Sequence, residues 1–370
     1  MNCGLRKASK WKNPRNIQTT RRTECFTMSE TRMDNKPLSP TSEEPHPPAK
    51  ADAVIQPVAS DFPQPTLSSP ANLPTTSRLH KSPLREIFIG PDGIYAFPKW
   101  LVYLAMAWFV FQIEGWLLTS LHTHPNALWW RLIVEASMAV AAIAPGFVMV
   151  RIERQPFASF GLPPRPAFGR NFWVGALWGL AALTILMLIL RATGSFYFGS
   201  LALHGTRIWK FAVYYALFFL FTGFFEEFLL RGYSQWVLTR GFNFWPAAIF
   251  LSIVFGSMHG SNPGEAKTGL VAAGLIGFFL CLTLRRTGNL WWGIGFHMAW
   301  DWGESFLYSV PDSGTVLPGH LLQSSLHGPV WLTGGSVGPE GSYLVFALIA
   351  ALCFLFSRMY PEIRYDPARQ

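Results

Sequence analysis

The sequence predicts an all-α membrane protein, a polytopic helix bundle of about eight transmembrane helices behind a disordered N-terminal tail. Three observations carry that expectation. Charged residues make up 14% of the chain, against about 25% in soluble domains, although residues 1–90 are themselves polar. From Pro98 onward, apolar runs of spanning length, about 20 residues, alternate with short polar breaks. Positive charge also alternates from break to break, as it does on the two sides of a membrane.

Residues 1–90 are rich in Pro, Ser, Thr and charge and have no sustained apolar period. Such a segment buries too little surface to offset its ordering entropy, so a disordered basic tail is expected there. Met1–Thr23 is basic and lacks acids, like a transit peptide in composition but without the amphipathic period; a solvated cytoplasmic arm is the expectation. Translation starting at Met28 or Met33 is an alternative to Met1. No apolar run precedes residue 100 in the manner of a cleaved secretory signal.

The membrane domain is expected over 98–360. Its spans are placed near Pro98–Leu121, Ala127–Val150, Phe172–Leu190, Ile208–Leu238, Trp245–His259, Thr268–Leu284, Leu290–Val310 and Ser342–Met359. The breaks holding Arg151, Arg154, Arg165 and Arg170, then Arg240, then Arg285 and Arg286, and finally Arg358, Arg364 and Arg369, form the basic set. Thr119–Asn126 and Ser309–Gly341 contain no Lys or Arg, Gly260–Lys267 has a single Lys, and only Arg191 and Arg207 blur the remaining break of this set. That alternation predicts both termini in the cytoplasm and an even number of spans. Trp100, Trp129, Trp130, Trp245, Trp291 and Trp292 fall at expected helix ends, where indoles favour the headgroup region. The +9 net charge therefore reads as an orientation signal, and no nucleic-acid partner is expected. The four cysteines, Cys3, Cys25, Cys281 and Cys353, include no C-x-x-C pair, which excludes a disulfide framework and a cysteine zinc site.

Chemistry concentrates in three of these spans. The fourth contains Glu226 and Glu227 inside an aromatic run; a carboxylate at membrane depth costs roughly 2.5–3.5 kcal/mol even on the lenient insertion scale. The fifth ends at His259, and the seventh carries His297 and Asp301. At 1.5 Å per residue, Glu226 and His259 both lie roughly 20 Å above the cytoplasmic end if their helices are continuous, and His297 roughly 12 Å. Glu227 and Arg231 are spaced i, i+4 and can pair, which casts them as a structural pair and leaves Glu226, rotated by about 100°, as the free carboxylate. His297 and Asp301 share a face by the same spacing, as do Phe255 and His259. Glu304 lies on the His297 face two turns on, either as an extra acid or as a solvated glutamate at the interface. One carboxylate and two imidazoles suit water activation and oxyanion stabilisation. Glu226, His259 and His297 equally match a three-ligand zinc site, so a divalent metal such as zinc and a metal-free site both stand open.

Glu226-Glu227-x-x-x-Arg231, Phe255-x-x-x-His259 and His297-x-x-x-Asp301, in this order on hydrophobic segments, resemble the CPBP family, the CAAX-protease and bacteriocin-processing (Abi) intramembrane proteases that include the type II CAAX prenyl endopeptidases. The resemblance spans about residues 200–310. It implies that Glu226 activates water, that Glu227 and Arg231 hold their helix in place, and that His259, His297 and Asp301 complete the catalytic set. Family members commonly have Asn where this chain has Asp301. An ionised Asp can accept but not donate a hydrogen bond, which suits it to orienting His297 or binding an ion. The family has been described both as metallo- and as glutamate proteases. The expected partners are the lipid bilayer and a membrane-tethered protein or peptide substrate, with C-terminal processing of prenylated CAAX-type proteins as the specific form. The expected location is a bacterial inner membrane. Two other readings compete: a non-catalytic scaffold of the same fold, and a proton-coupled transporter, for which Glu114 and Glu135 would be further relay groups.

Overall fold

A computed structural model describes residues 89–90, 93–120 and 128–367. Apart from Ile89 and Gly90, the expected tail and all three alternative starts lie outside the described residues, as does most of the break before the second span. The spans expected from hydropathy form helices: α1 (Ala96–Ser120), α2 (Leu128–Glu153), α3 (Arg170–Ala192), α4 (Thr206–Glu227), α5 (Gln235–Phe242), α6 (Phe244–Met258), α7 (Lys267–Thr287), α8 (Leu290–Trp302), the short α9 (Val330–Thr333) and α10 (Tyr343–Met359). Local chemistry sets several of these ends. The Asn289 side chain accepts the Trp291 backbone N–H at 2.9 Å to start α8, and Ser342 does the same for Leu344 at the start of α10; both are N-caps of the favoured type. Gly288, in the left-handed region at φ 67°, returns its N–H to Leu284 and stops α7.

Among the described residues, six helical segments are long and apolar enough to cross a membrane: α1, α2, α3, Thr206–Phe242, Phe244–Ser261 and α7. The other two expected spans are the 13-residue α8, continued by a π-helical turn over Gly303–Tyr308, and the 17-residue α10. The fourth span departs from the continuous helix assumed for the depth estimate. Directly after Glu227 it opens into a π turn over Phe228–Ser234, with Gly232 outside helical φ/ψ, before continuing as α5. Gly232 leaves room for Phe228 at this break: the Phe228 ring is fully buried and sits where a Cβ on Gly232 would come within 2.8 Å.

Aromatic residues fill the interior. Tyr103, Phe160, Tyr233 and Trp236 pack together among α1, α2, α5 and α6. Phe279, Trp292, Phe296 and Phe356 do so among α3, α7, α8 and α10. The outward faces are apolar too, with Trp108, Trp173 and Trp209 well exposed, as a lipid-facing surface requires. Trp129 and Trp245 face outward, whereas Trp100, Trp291 and Trp292 are core residues rather than headgroup anchors. Their ring nitrogens explain part of this: Trp100 donates to Ser234 at 3.0 Å and Trp291 to the Pro163 carbonyl at 2.8 Å, so each indole is satisfied without water.

Helix α8 is pressed against α3 at backbone distance. A Cβ on Gly175 would lie 2.0 Å from the Trp292 carbonyl oxygen, and one on Gly179 2.2 Å from that of Phe296. The Gly175-x-x-x-Gly179 spacing thus supplies a small-residue seam of the kind that lets membrane helices touch. Gly175→Ala is expected to force the helices apart and cost about 1–3 kcal/mol, the usual range for overpacking. Thermal unfolding in detergent measures this. Gly115→Ala is the control, because nothing among the described residues lies within 4 Å of that position, and it should leave stability unchanged or slightly higher.

The segment between α8 and α10 folds back over the bundle. Phe196–Tyr197, after α3, pairs antiparallel with Ser325–Leu326. The α6–α7 connection is tied to the same segment: Asn262 donates to the Ser313 carbonyl at 2.9 Å, Gly264 N–H to the Gly314 carbonyl, and the Ser336 hydroxyl to the Gly264 carbonyl. A second two-residue ladder pairs Ile89–Gly90 with Gly93–Ile94.

Candidate active site

The six residues singled out in the sequence are delivered by four elements: Glu226 and Glu227 end α4, Arg231 lies in the π turn, His259 follows α6, and His297 and Asp301 are one turn apart on α8. Glu227 and Arg231 pair as their spacing requires, at 3.2 Å between Oε1 and Nη1, and both side chains are fully buried. The guanidinium lies 4.2 Å from the centroid of the Phe255 ring. Gly277 on α7 makes room for this stack, since a Cβ there would meet Arg231 Nη2 at 2.5 Å and the Phe255 ring at 2.8 Å.

Glu227 has a second partner that its own helix could not reveal. His297 Nδ1 lies 3.1 Å from the same Oε1. A carboxylate only accepts, so Nδ1 carries the proton and Nε2 is turned the other way. There it lies 3.3 Å from Glu226 Oε2 and 3.4 Å from Asp301 Oδ2. His259 is set by parallel logic: its Nδ1 is 2.9 Å from the Phe255 carbonyl oxygen, which can only accept, leaving its own Nε2 free. Phe255 separates the two imidazoles, edge-on to both, with ring centroids 4.8 Å from His259 and 6.2 Å from His297.

Glu226, His259, His297 and Asp301 line one cavity of about 330 Å³. The helix carrying Glu226 and the helix carrying His297 and Asp301 each loosen into a π turn within a few residues of the site, a feature that recurs at functional sites. Glu135 on α2 also lines the cavity and accepts a hydrogen bond from Thr222 on α4 at 3.1 Å, so it bridges two helices.

Among the described residues, Glu304, Asp312 and Glu340 bring three ligand atoms within 4.8 Å of one another. Glu304 is fully buried, which overturns the solvated-glutamate alternative. Asp312 and Glu340 line the cavity beside Asp301 and had no distinguishing signal beyond being the only acids in a stretch without Lys or Arg. Burial first, then the charges of Asp301 and Glu340, push the Asp312 carboxyl well above the usual carboxylate range.

The family described as type II CAAX prenyl endopeptidase Rce1-like matches residues 208–303. That segment is an Rce1-like type II CAAX prenyl endopeptidase domain. No curated protein and no solved structure matches the chain. The Rce1-like domain runs from the start of α4 to the first residue after α8, so it holds all six residues discussed above and stops short of Glu304. The apolar helices around this segment support a multi-pass integral membrane protein, and the matched family is one of proteases, which implies peptide or protein substrates.

Proposed function

We propose that the protein is an intramembrane endopeptidase that cleaves the C-terminal peptide from membrane-tethered, prenylated CAAX-type proteins, using water activated by Glu226. The observation that carries this reading is the approach of Glu226 Oε2 to His297 Nε2 at 3.3 Å in the same cavity as His259 and Asp301. Glu226 Oε2 is buried, with His297 Nε2 as its near neighbour and no hydrogen bond of full geometry among the described residues, and it takes the proton from water. His297, charged against Glu227, donates from Nε2 to the oxyanion that forms at the scissile carbonyl. His259 Nε2 accepts from the water and orients it. Asp301 holds the His297 ring from its other side. Glu227 and Arg231 act one step removed, fixing the ring and the π turn. Both termini lie on the cytoplasmic side, following the arginine-rich breaks.

The test is cleavage of a panel of membrane-tethered peptides, with and without a C-terminal prenylcysteine, by the full chain in detergent. Loss of the last three residues from the prenylated peptides is the expected result. Equal cleavage of unprenylated peptides would replace the substrate assignment with a broader one, and no cleavage of any peptide would overturn the protease reading. A chelator arm, repeated after adding zinc back, separates metal-bound from metal-free water.

A further inference from the structure

We propose that Glu304, Asp312 and Glu340 bind one hard divalent cation, of the magnesium, manganese or calcium class, at a site separate from Glu226, His259 and His297. One ligand oxygen from each of the three carboxylates lies within 4.8 Å of the others. Among the described residues no Lys, Arg or His forms an ion pair with any of them. Two of the three are oriented by donors: Ser305 donates to Asp312 Oδ2 at 3.0 Å, Trp300 Nε1 to Glu340 Oε1 at 2.9 Å, and both the backbone N–H and the hydroxyl of Ser313 to Glu340 Oε2. Such donors fix metal-binding carboxylates in place and leave further lone pairs for an ion.

Glu304 is the observation that asks for a ligand. Its side chain is fully buried and, among the described residues, neither carboxylate oxygen has a hydrogen-bond partner. Ionised, it is a buried charge with only the Trp300 N–H nearby, and that donor is already given to Glu340; protonated, it is a buried O–H that makes no hydrogen bond. Either state is costly, and a cation shared with Asp312 and Glu340 removes the cost. An all-oxygen set of carboxylates suits hard ions rather than zinc, which favours nitrogen and sulfur. The three residues come from the π turn after α8, the turn that follows it, and the 3-10 turn before α10, so a bound ion clamps the far end of α8 to the segment that folds over the cavity. Asp312 and Glu340 line that cavity, which gives the ion its way in.

The experiment is calorimetric titration of the chelator-stripped full chain in detergent with Mn²⁺ and, separately, Ca²⁺, alongside thermal unfolding with and without the ion. One saturable site per chain is expected, with a raised Tm. Glu304→Gln and Asp312→Asn should each weaken binding by about tenfold or more and remove the Tm gain, while Glu226→Gln binds as wild type. Because Glu304→Gln alters a buried turn, Glu340→Gln, which keeps an acceptor for Trp300, is measured beside it. A folded wild type with no saturable binding would overturn the proposal. So would binding that survives all three substitutions, or binding lost in Glu226→Gln, which would put the ion on the other set. Every readout is binding or unfolding, so the outcome does not depend on proteolysis.

Discussion

Glu226→Gln is expected to lower peptide cleavage by about 10²–10⁴-fold, the range that positioned general bases supply, while leaving thermal unfolding close to wild type. The asymmetry comes from the surroundings of the two adjacent glutamates. The Glu226 side chain is 16% exposed, and its contact with His297 is at 3.3 Å. Gln keeps the shape and an oxygen acceptor but cannot take a proton, so the loss falls on the chemical step and KM should change little. Parallel measurements of rate, KM and Tm on wild type and variant check this. A variant that still cleaves within about threefold of wild type would remove Glu226 from the role of base. One that unfolds much earlier would recast it as a structural residue.

Arg231→Met should do the reverse and strike stability first. Removing one partner of a buried ion pair leaves the other charge uncompensated, which costs about 3–5 kcal/mol. Here the pair is fully buried on both sides, and the arginine also stacks on Phe255. Glu227 would then keep His297 but lose the guanidinium that fixes it, so the ring that faces Glu226 would be held less firmly. The double variant Glu227→Gln/Arg231→Met removes both charges and should recover much of the lost stability, because an apolar or neutral pair of similar volume is tolerated where a lone charge is not. Unfolding followed by tryptophan fluorescence, on the two single variants and the double, gives the coupling energy directly. Additive single effects would mean that the pair does not interact as described.

Gly277→Val offers a milder approach to the same site. It pushes on Arg231 Nη2 and the Phe255 ring without deleting a charge. Loss of activity is expected to exceed loss of Tm, measured in the same two assays, because the displaced groups position the two imidazoles.

How far the sequence reached follows from the range of the physics involved. Hydropathy and helical spacing are local, so the helices, their order, and the i, i+4 pairings of Glu227 with Arg231 and His297 with Asp301 could be read along the chain. The cost of burying charge in lipid acts on each residue where it stands, so Glu226, Glu227, His259, His297 and Asp301 marked themselves as a set. The tertiary structure alone decided that His297 Nδ1 meets Glu227, a partner 70 residues away; no periodicity links two helices that cross. It also decided the π break after Glu227, where Phe228 packs against Gly232. Above all, it gathered Asp312 and Glu340 around Glu304. In a loop, an acid that will be buried and one that will be solvated have the same neighbours in sequence, and the difference exists only once the segment has folded over the bundle.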